Sequence, residues 1–510
     1  MTERLNVLVI QTDQMSAKAL AAYGHGLTRT PHIDRLAESG TVFENAYCNF
    51  PLCVPSRASM LTGRYANSIG VWDNASELPA SVPTLAHYLR REGYHTVLSG
   101  KMHFIGPDQL HGFNERITTD IYPSNFAWTP DWIAGERYRP TGINMRAVVD
   151  SGVCTRSLQI DYDEEVEYAS TQKLHDLARY NTDSPFLLWV SFTHPHSPYV
   201  TTPEYWDRYQ HDQIDMPTVR ELDLDEMDVM SRWLHYAHAG DMHEVTEDHV
   251  LNARHAYFGM CSYLDDKIGR LLDTLELLNL DSNTVVILTS DHGEMLGERG
   301  MWFKQAFFEW STAVPLLIRI PGMKNVSRVK ELVSLVDLLP TLIDVAGGNP
   351  EDTVSPLDGH SLMPLLSGSA EWNSLVISEY TGEGVNAPCR MIRSHQHKLI
   401  YTHEHPSLLY NLSSDPNELT NLIDQPEQEL LQQSLLKMLL KDWDPCSIHE
   451  SCLQSQRERK LIHESTGGDP EWVHSVRNDD DKRYVRNSSA IETKAKARYP
   501  YVKPTPFLGE

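Results

Sequence analysis

The chain has 510 residues, 41% of them hydrophobic, and its 70 acidic residues against 44 basic ones give a formal net charge of −26. That length allows a large core and two to three domains of about 100–200 residues each. So acidic a chain excludes nucleic acid and anionic membrane as main partners, since both are gripped by basic surface; an anionic substrate would need a local cluster of cations.

The opening "MTERLNVLVIQTDQ" holds an apolar run, Leu5 to Ile10, too short for a secretory leader. Asn6–Thr12 reads as a buried strand ending at Asp13. "TPHIDRLAESG" (30–40) predicts a helix with Pro31 in its first turn and Gly40 at its end. Strand-like "TVFENAYC" follows, and then "PLCVPSRASMLTG" (51–63), a thiol and an arginine at a helix entrance. "VPTLAHYLRREGYHTVLSGKMH" reads as helix, glycine, strand and polar strand end. "PFLLWVSFTHPH" (185–196) and "NTVVILTSDHGE" (283–294) are again buried strands with polar ends, and helical patterns lie at about 164–179 and 249–277. Strands alternating with helices predict an α/β domain around a large, mostly parallel sheet flanked by helices. Such sheets bind ligands outside the carboxyl ends of their strands. Asp13, Lys101, His103, His194, Asp291 and His292 all fall just past such ends.

After about residue 370, "SLVISEY", "CRMIRS" and "HKLIYT" predict short strands, followed by the amphipathic helix "EQELLQQSLLKMLLKDW". The expected organisation is a catalytic domain over 1–370, an antiparallel α+β subdomain over 371–445 and an extended tail over 446–510. That tail is too polar for a core of its own and is expected either to wrap over the body or a neighbouring subunit, completing a homodimer or homotetramer, or to be partly disordered. No apolar run reaches the ~18 residues of a membrane span. Seven cysteines without a pairing pattern point to a reducing cytoplasm.

The strand-end residues suggest two groups. Asp13, Gln14, Asp291 and His292 offer carboxylate, amide and imidazole donors suited to a hard divalent ion, Ca²⁺, Mg²⁺ or Mn²⁺. Each aspartate taken alone could equally be a helix N-cap. Arg57, Lys101, His103, His194, Lys304 and Lys398 could gather around an anion, helped by amides at the helix start after Cys53. Lys304 alone, flanked by aromatics, could instead be a snorkelling surface lysine.

"CVPSRASMLTGRY" (53–65) matches the C-x-P-S-R signature of the type I sulfatases, and "TDQ" (12–14), "TPHIDRLAESGTVFENAY", "GKMH" (100–103), "SFTHPHSPY" (191–199) and "SDHGEMLGERGMWFK" (290–304) follow in that family's order. The resemblance covers nearly the whole chain. It implies an alkaline-phosphatase/sulfatase-like sandwich and a Cys53 oxidised to formylglycine by a maturation enzyme that reads the Cys-x-Pro-x-Arg segment. One hydroxyl of the hydrated aldehyde would attack sulfur and expel the alcohol. Loss of a proton from the second would collapse the hemiacetal, releasing sulfate and restoring the aldehyde. By the same resemblance, Asp13, Gln14, Asp291 and His292 hold the ion, calcium first, together with residue 53. Arg57 steadies the aldehyde hydrate, Lys101 and His103 hold residue 53 and the sulfuryl oxygens, and His194 and Lys304 serve the leaving oxygen.

His292, the stretch 94–132 and "YVRN" (484–487) resemble the choline-sulfatase branch, in which Trp128, Glu383 and Asn74 occupy substrate-binding positions. That implies choline O-sulfate as the small-molecule substrate. The branch carries a further acid just after its "YVRN"; here Ser488, Ser489 and Ala490 follow, with Asp479 to Asp481 and Glu492 nearby. Aryl or carbohydrate sulfates, or the phosphonate monoesters and phosphodiesters handled elsewhere in the superfamily, are the alternative substrates. A catalytically silent binding protein on this scaffold is the remaining alternative, although every core residue is in place.

Overall fold

The computed structural model describes residues 4–139, 143–180, 184–323, 327–368, 372–466, 472, 474–477 and 498–500. Eight strands form the main sheet: β1 Asn6–Thr12, β2 Thr41–Tyr47, β3 His95–Gly100, β4 Glu115–Arg116, β5 Phe186–Ser191, β6 Thr284–Ser290, β7 Leu316–Arg319 and β8 Arg328–Ser334. Their order across the sheet is β8-β2-β7-β6-β1-β5-β3-β4. From β6 through β4 every pairing is parallel, whereas β7 runs antiparallel to both of its neighbours. Every residue of β1, β5 and β6 is buried, which is why they read as continuous apolar runs rather than alternating ones.

Helices cover both faces. They include α1 Pro31–Ser39, α2 Cys53–Thr62, α3 Leu85–Arg91, α4 Leu158–Tyr180 and α5 Glu247–Leu277. Two separate apolar clusters result, one with α2 and α3 and the other with α4 and α5. This is the expected sandwich with a large mixed, mostly parallel sheet. Gly100 matters to the site: its φ is +91°, and a Cβ there would lie 1.9 Å from the Ser191 carbonyl oxygen. Only glycine lets β3 end this close to β5.

The smaller antiparallel sheet is present as expected: β9 Leu375–Tyr380, β10 Cys389–Ser394, β11 His397–Thr402 and β12 Leu408–Asn411 pair in sequence. Helix α6, Glu429–Leu439, packs Leu435 and Leu439 onto Ile377, Ile392, Leu399 and Leu409. The tail differs from expectation. Pro445–Ser465 is a helix, α7, capped by Asp444, whose side chain accepts from the Ser447 N–H. It fully buries only Cys452, Gln456 and Arg459 and lays half-buried Ile448 and Leu453 on the main core, too short an apolar stripe to stand out in a polar sequence. It docks on this chain's own body, as does the short Arg498–Tyr499 strand, which pairs with Arg156–Ser157. "YVRN", Ala490, Asp479 to Asp481 and Glu492 lie outside the described residues. Among the described residues no helix is long and apolar enough to cross a membrane.

Candidate active site

β1 and β6 are parallel neighbours with Thr12 opposite Ser290, so Asp13 and Asp291 leave the sheet side by side. One donor atom each from Asp13, Cys53, Asp291 and His292 falls within a 4.8 Å cluster, and all four residues are buried. His292 Nε2 lies 3.7 Å from an oxygen of each aspartate. Its Nδ1 donates to the Gly293 carbonyl at 3.1 Å, which turns the Nε2 lone pair inward. Burial lowers the His292 imidazole to about 4, so it is neutral, as a metal ligand must be. Burial alone would raise the Asp13 carboxyl, but Lys101, His196, Arg57 and His292 hold it well below the usual carboxylate range. Two carboxylates and a neutral imidazole on rigid strand ends fit a hard divalent ion. Gln14 stands beside them with φ +66°. Its amide NH₂ donates to Glu294, and its Oε1 faces the site, where it accepts from Lys304 Nζ at 2.7 Å.

Cys53 is the first residue of α2, a helix buried along its whole length. Its Sγ lies 3.4 Å from Lys101 Nζ, 3.4 Å from His292 Nε2 and 4.0 Å from Asp13 Oδ1. Burial and the Asp13 charge push the thiol up, despite Lys101 and Lys304. As an unmodified thiol this group stays protonated and is a poor nucleophile. Arg57, one turn along α2, donates from Nε to Asp291 Oδ2 at 2.8 Å and from Nη1 to the Lys101 carbonyl and Ser191 Oγ. Its guanidinium therefore balances the aspartates and fixes the end of β3. Lys101 Nζ donates to Asp13 Oδ2 as well as to Cys53, and stands 4.4 Å from the centre of the Tyr122 ring.

His103 is buried, and neither ring nitrogen has a hydrogen-bond partner among the described residues. Burial and Lys101 hold its imidazole well below its ordinary value. Its ring meets Tyr122 and the edge of half-buried Trp128, which form an aromatic wall. On the opposite flank the expectation for His194 needs correcting. Its Nδ1 bonds Asp163 Oδ2 at 2.6 Å, and its ring packs on Tyr263 of α5. Its backbone carbonyl, rather than its ring, reaches the site, accepting from the Asp13 N–H. His196 takes the position instead: its Nε2 lies 2.7 Å from Lys304 Nζ. The motif holds two histidines, and only the hydrogen bond to Asp163, distant in sequence, decides which one turns outward. Lys304 is fully buried, which rules out a snorkelling surface lysine. Lys398 does not join the cations: it is paired with Glu309 and Glu418.

Asn74 and Glu383 meet beside residue 53. Asn74 Oδ1 accepts from the Val54 N–H at 3.0 Å, satisfying an open amide of the α2 start, and its Nδ2 donates to Glu383 Oε1 at 3.0 Å. Glu383 Oε2 is buried with no hydrogen-bond partner among the described residues. Burial first, then Asp73, pushes this carboxyl up to about 7. No sequence signal of their own marks Tyr122, Glu294 or Asp73, although each lies within or beside a segment that carries site residues.

Residues 5–348 match the Sulfatase family, and residues 297–443 match the family described as N-sulphoglucosamine sulphohydrolase, C-terminal. The chain is 40% identical over 509 residues to a choline-sulfatase of Rhizobium meliloti (strain 1021), covering 98% of this chain and 99% of that one. It is 30% identical to arylsulfatase K of Bos taurus, covering 87% and 83%. Among solved structures, the phosphonate monoester hydrolase of Agrobacterium radiobacter superposes with a TM-score of 0.69 at 26% identity, covering 88% of this chain and 96% of that one.

Proposed function

Since this chain belongs to the sulfatase family and is a sulfuric ester hydrolase, we propose that its substrate is choline O-sulfate, cleaved at the S–O bond with residue 53 acting as formylglycine. Glu383 carries the choline reading. A buried carboxylate with one free oxygen, held by Asn74 next to the start of α2, is the partner a quaternary ammonium needs once its sulfate end sits on Lys101 and His103. The Tyr122–Trp128 wall supplies aromatic surface for the methyl groups. The 40% identity to a choline-sulfatase supports the same reading.

Asp13, Gln14, Asp291 and His292 are proposed to hold the divalent ion, calcium first with magnesium and manganese as alternatives. Bound there, the ion supplies positive charge that lowers the proton affinity of the residue-53 hydroxyl and steadies a sulfuryl oxygen. Lys101 donates toward residue 53 and orients its attacking oxygen. His103, neutral and with both nitrogens open, donates to a sulfuryl oxygen. His196 Nδ1 donates to the Ser197 carbonyl, so its Nε2 accepts from Lys304. Lys304 therefore carries the proton on this flank and delivers it to the departing choline oxygen, while His196 aims it. Because α2 is wholly buried, a maturation enzyme must oxidise Cys53 before the chain closes. The proposal includes a homodimer or homotetramer, and seven unpaired cysteines support a reducing cytoplasm as its setting.

The test is a substrate panel of choline sulfate, aryl sulfates, sugar sulfates and a phosphonate monoester, run on protein whose Cys53 conversion has been verified by mass. Choline sulfate should have the highest kcat/KM. Preference for an aryl or sugar sulfate would assign the pocket to those esters, and preference for the phosphonate would follow the structural neighbour. A Cys53→Ala variant as fast as wild type would overturn the nucleophile.

A further inference from the structure

Helix α7 lies against the substrate side of the site. Arg459 is only 5% exposed on it. Its Nη1 and Nη2 donate to Asp73 Oδ1 and Oδ2, both at 2.6 Å. Gln456, nearly one turn earlier, accepts from the Trp132 N–H at 3.1 Å, and Lys460 pairs with Asp131. Asp73 Oδ1 also accepts from the Ala75 N–H at 2.9 Å, and the Asp73 N–H donates to Ser76 Oγ, closing the turn that carries Asn74. Asn74 in turn bridges the Val54 N–H and Glu383.

We propose that Arg459 is a positioning residue for recognition of the substrate's cation: its fork holds Asp73, Asp73 holds the turn presenting Asn74, and Asn74 holds Glu383. The proposal rests on the reading of Glu383 as the cation's partner. It assigns a function to the buried polar part of the tail helix, which its short apolar contact at Ile448, Cys452 and Leu453 leaves unexplained. Planar bidentate pairing fixes orientation as well as charge, which a lysine cannot reproduce.

The charges around Glu383 give the proposal a signature beyond stability. Asp73 raises its proton affinity and Lys304 lowers it; among the described residues the Asn74 amide donates to its side chain, and the Gln305 amide and the Tyr380 hydroxyl donate to its backbone carbonyl. Arg459 balances Asp73. Without that balance, only Lys304 offsets the Asp73 charge at Glu383, and Glu383 keeps its proton to higher pH.

The experiment compares wild type with Arg459→Met, Arg459→Lys and the double variant Asp73→Asn/Arg459→Met, which removes both charges of the pair and is tolerated where a half-broken pair is not. KM for choline sulfate and for para-nitrophenyl sulfate is measured across pH. The ionisation of Glu383 is followed independently, as the protonated-carboxyl infrared band that disappears in Glu383→Gln. In Arg459→Met the choline sulfate KM should rise about tenfold more than the aryl sulfate KM, and the infrared midpoint should move up by about one pH unit. Arg459→Lys should fall between, and the double variant should return the midpoint to wild type or below. If Arg459→Met does not fold, Arg459→Lys carries the same comparison. Proportional losses on both esters with an unmoved midpoint would overturn the proposal. If wild type itself does not favour choline sulfate, the substrate reading fails, and the infrared midpoint alone decides the role of Arg459.

Discussion

Glu383→Gln tests the choline pocket with little disturbance. Glutamine keeps the carbonyl that accepts from Asn74 Nδ2, so Asn74 and its bond to the Val54 N–H stay in place and only the charge is lost. A unit pair at about 5 Å with an effective dielectric of ~20 is worth ~3 kcal/mol. Desolvation of the carboxylate offsets part of that, leaving about 1–3 kcal/mol. At about 1.4 kcal/mol per tenfold, the ratio of kcat/KM on choline sulfate to that on para-nitrophenyl sulfate should fall about 5–140-fold. The pH dependence carries a sign. Glu383 titrates near 7, raised first by burial and then by Asp73, and only its ionised form attracts the ammonium. Below about pH 7 the wild-type ratio should therefore fall by up to about tenfold per unit, and above it level off, since kcat/KM reports the free enzyme. In Glu383→Gln the ratio should be low and flat. Steady-state kinetics on both esters from pH 5 to 9 makes the measurement, and the ratio cancels any titration common to the two. A ratio that is unchanged in the variant, or that rises as pH falls, would refute this placement of the cation.

Three other outcomes follow from the same geometry. Chelation should lower both activity and melting temperature, since an ion that binds only the folded protein at 100 times its Kd adds about 2.7 kcal/mol; re-addition of calcium, magnesium and manganese in turn, followed by calorimetry, identifies the ion by the largest recovery. His196→Asn should reduce kcat on choline sulfate about 10²–10³-fold with the larger loss on esters of poor leaving groups, because Lys304 loses its aim; His194→Asn should act chiefly on melting temperature, because that ring is spent on Asp163 and Tyr263. Cys53→Ser should complete one half-turnover and stop, gaining the mass of one SO₃ group in intact-protein mass spectrometry; sustained turnover would show that the second hydroxyl of the hydrate is dispensable.

The sequence carried the site wherever chemistry coincides with a strand end. Asp13, Lys101, His103, Asp291 and His292 were legible because a buried parallel strand announces itself as an apolar run, and its polar terminus marks the ligand side of the sheet. Cys53 and Arg57 were legible through a short motif. What was lost depended on contacts distant in sequence. Which histidine of "THPH" turns outward is settled by Asp163, some thirty positions earlier on α4. Lys398 reads as one more cation, and only the paired Glu309 and Glu418 show that its charge is consumed elsewhere. Helix α7 escaped because its core contacts are few, only Ile448, Cys452 and Leu453, and much of its hold comes from Arg459 and Gln456, which hydrophobic periodicity does not register.

The charge pattern bears on which ester the site admits. Around residue 53, Asp13 and Asp291 face Arg57, Lys101 and Lys304, so the side chains alone leave a slight positive excess before any ion binds. The chain as a whole carries a formal −26. An aryl sulfate is an anion and a polysulfated sugar a larger one; each must cross that outer field before reaching the cations, and within a Debye length of about 10 Å at 0.1 M salt little of the opposition is screened. Choline sulfate is a zwitterion with no net charge, so the outer field gives its approach no comparable penalty. In the proposed binding mode its sulfate end would face the cations and its ammonium end would face Glu383. The Glu383 carboxyl, pushed up to about 7 by burial and then Asp73, would give up its proton as an ammonium arrives. On this reading the empty pocket holds an uncompensated buried charge only part of the time near pH 7, and binding of choline sulfate would complete the charge pair.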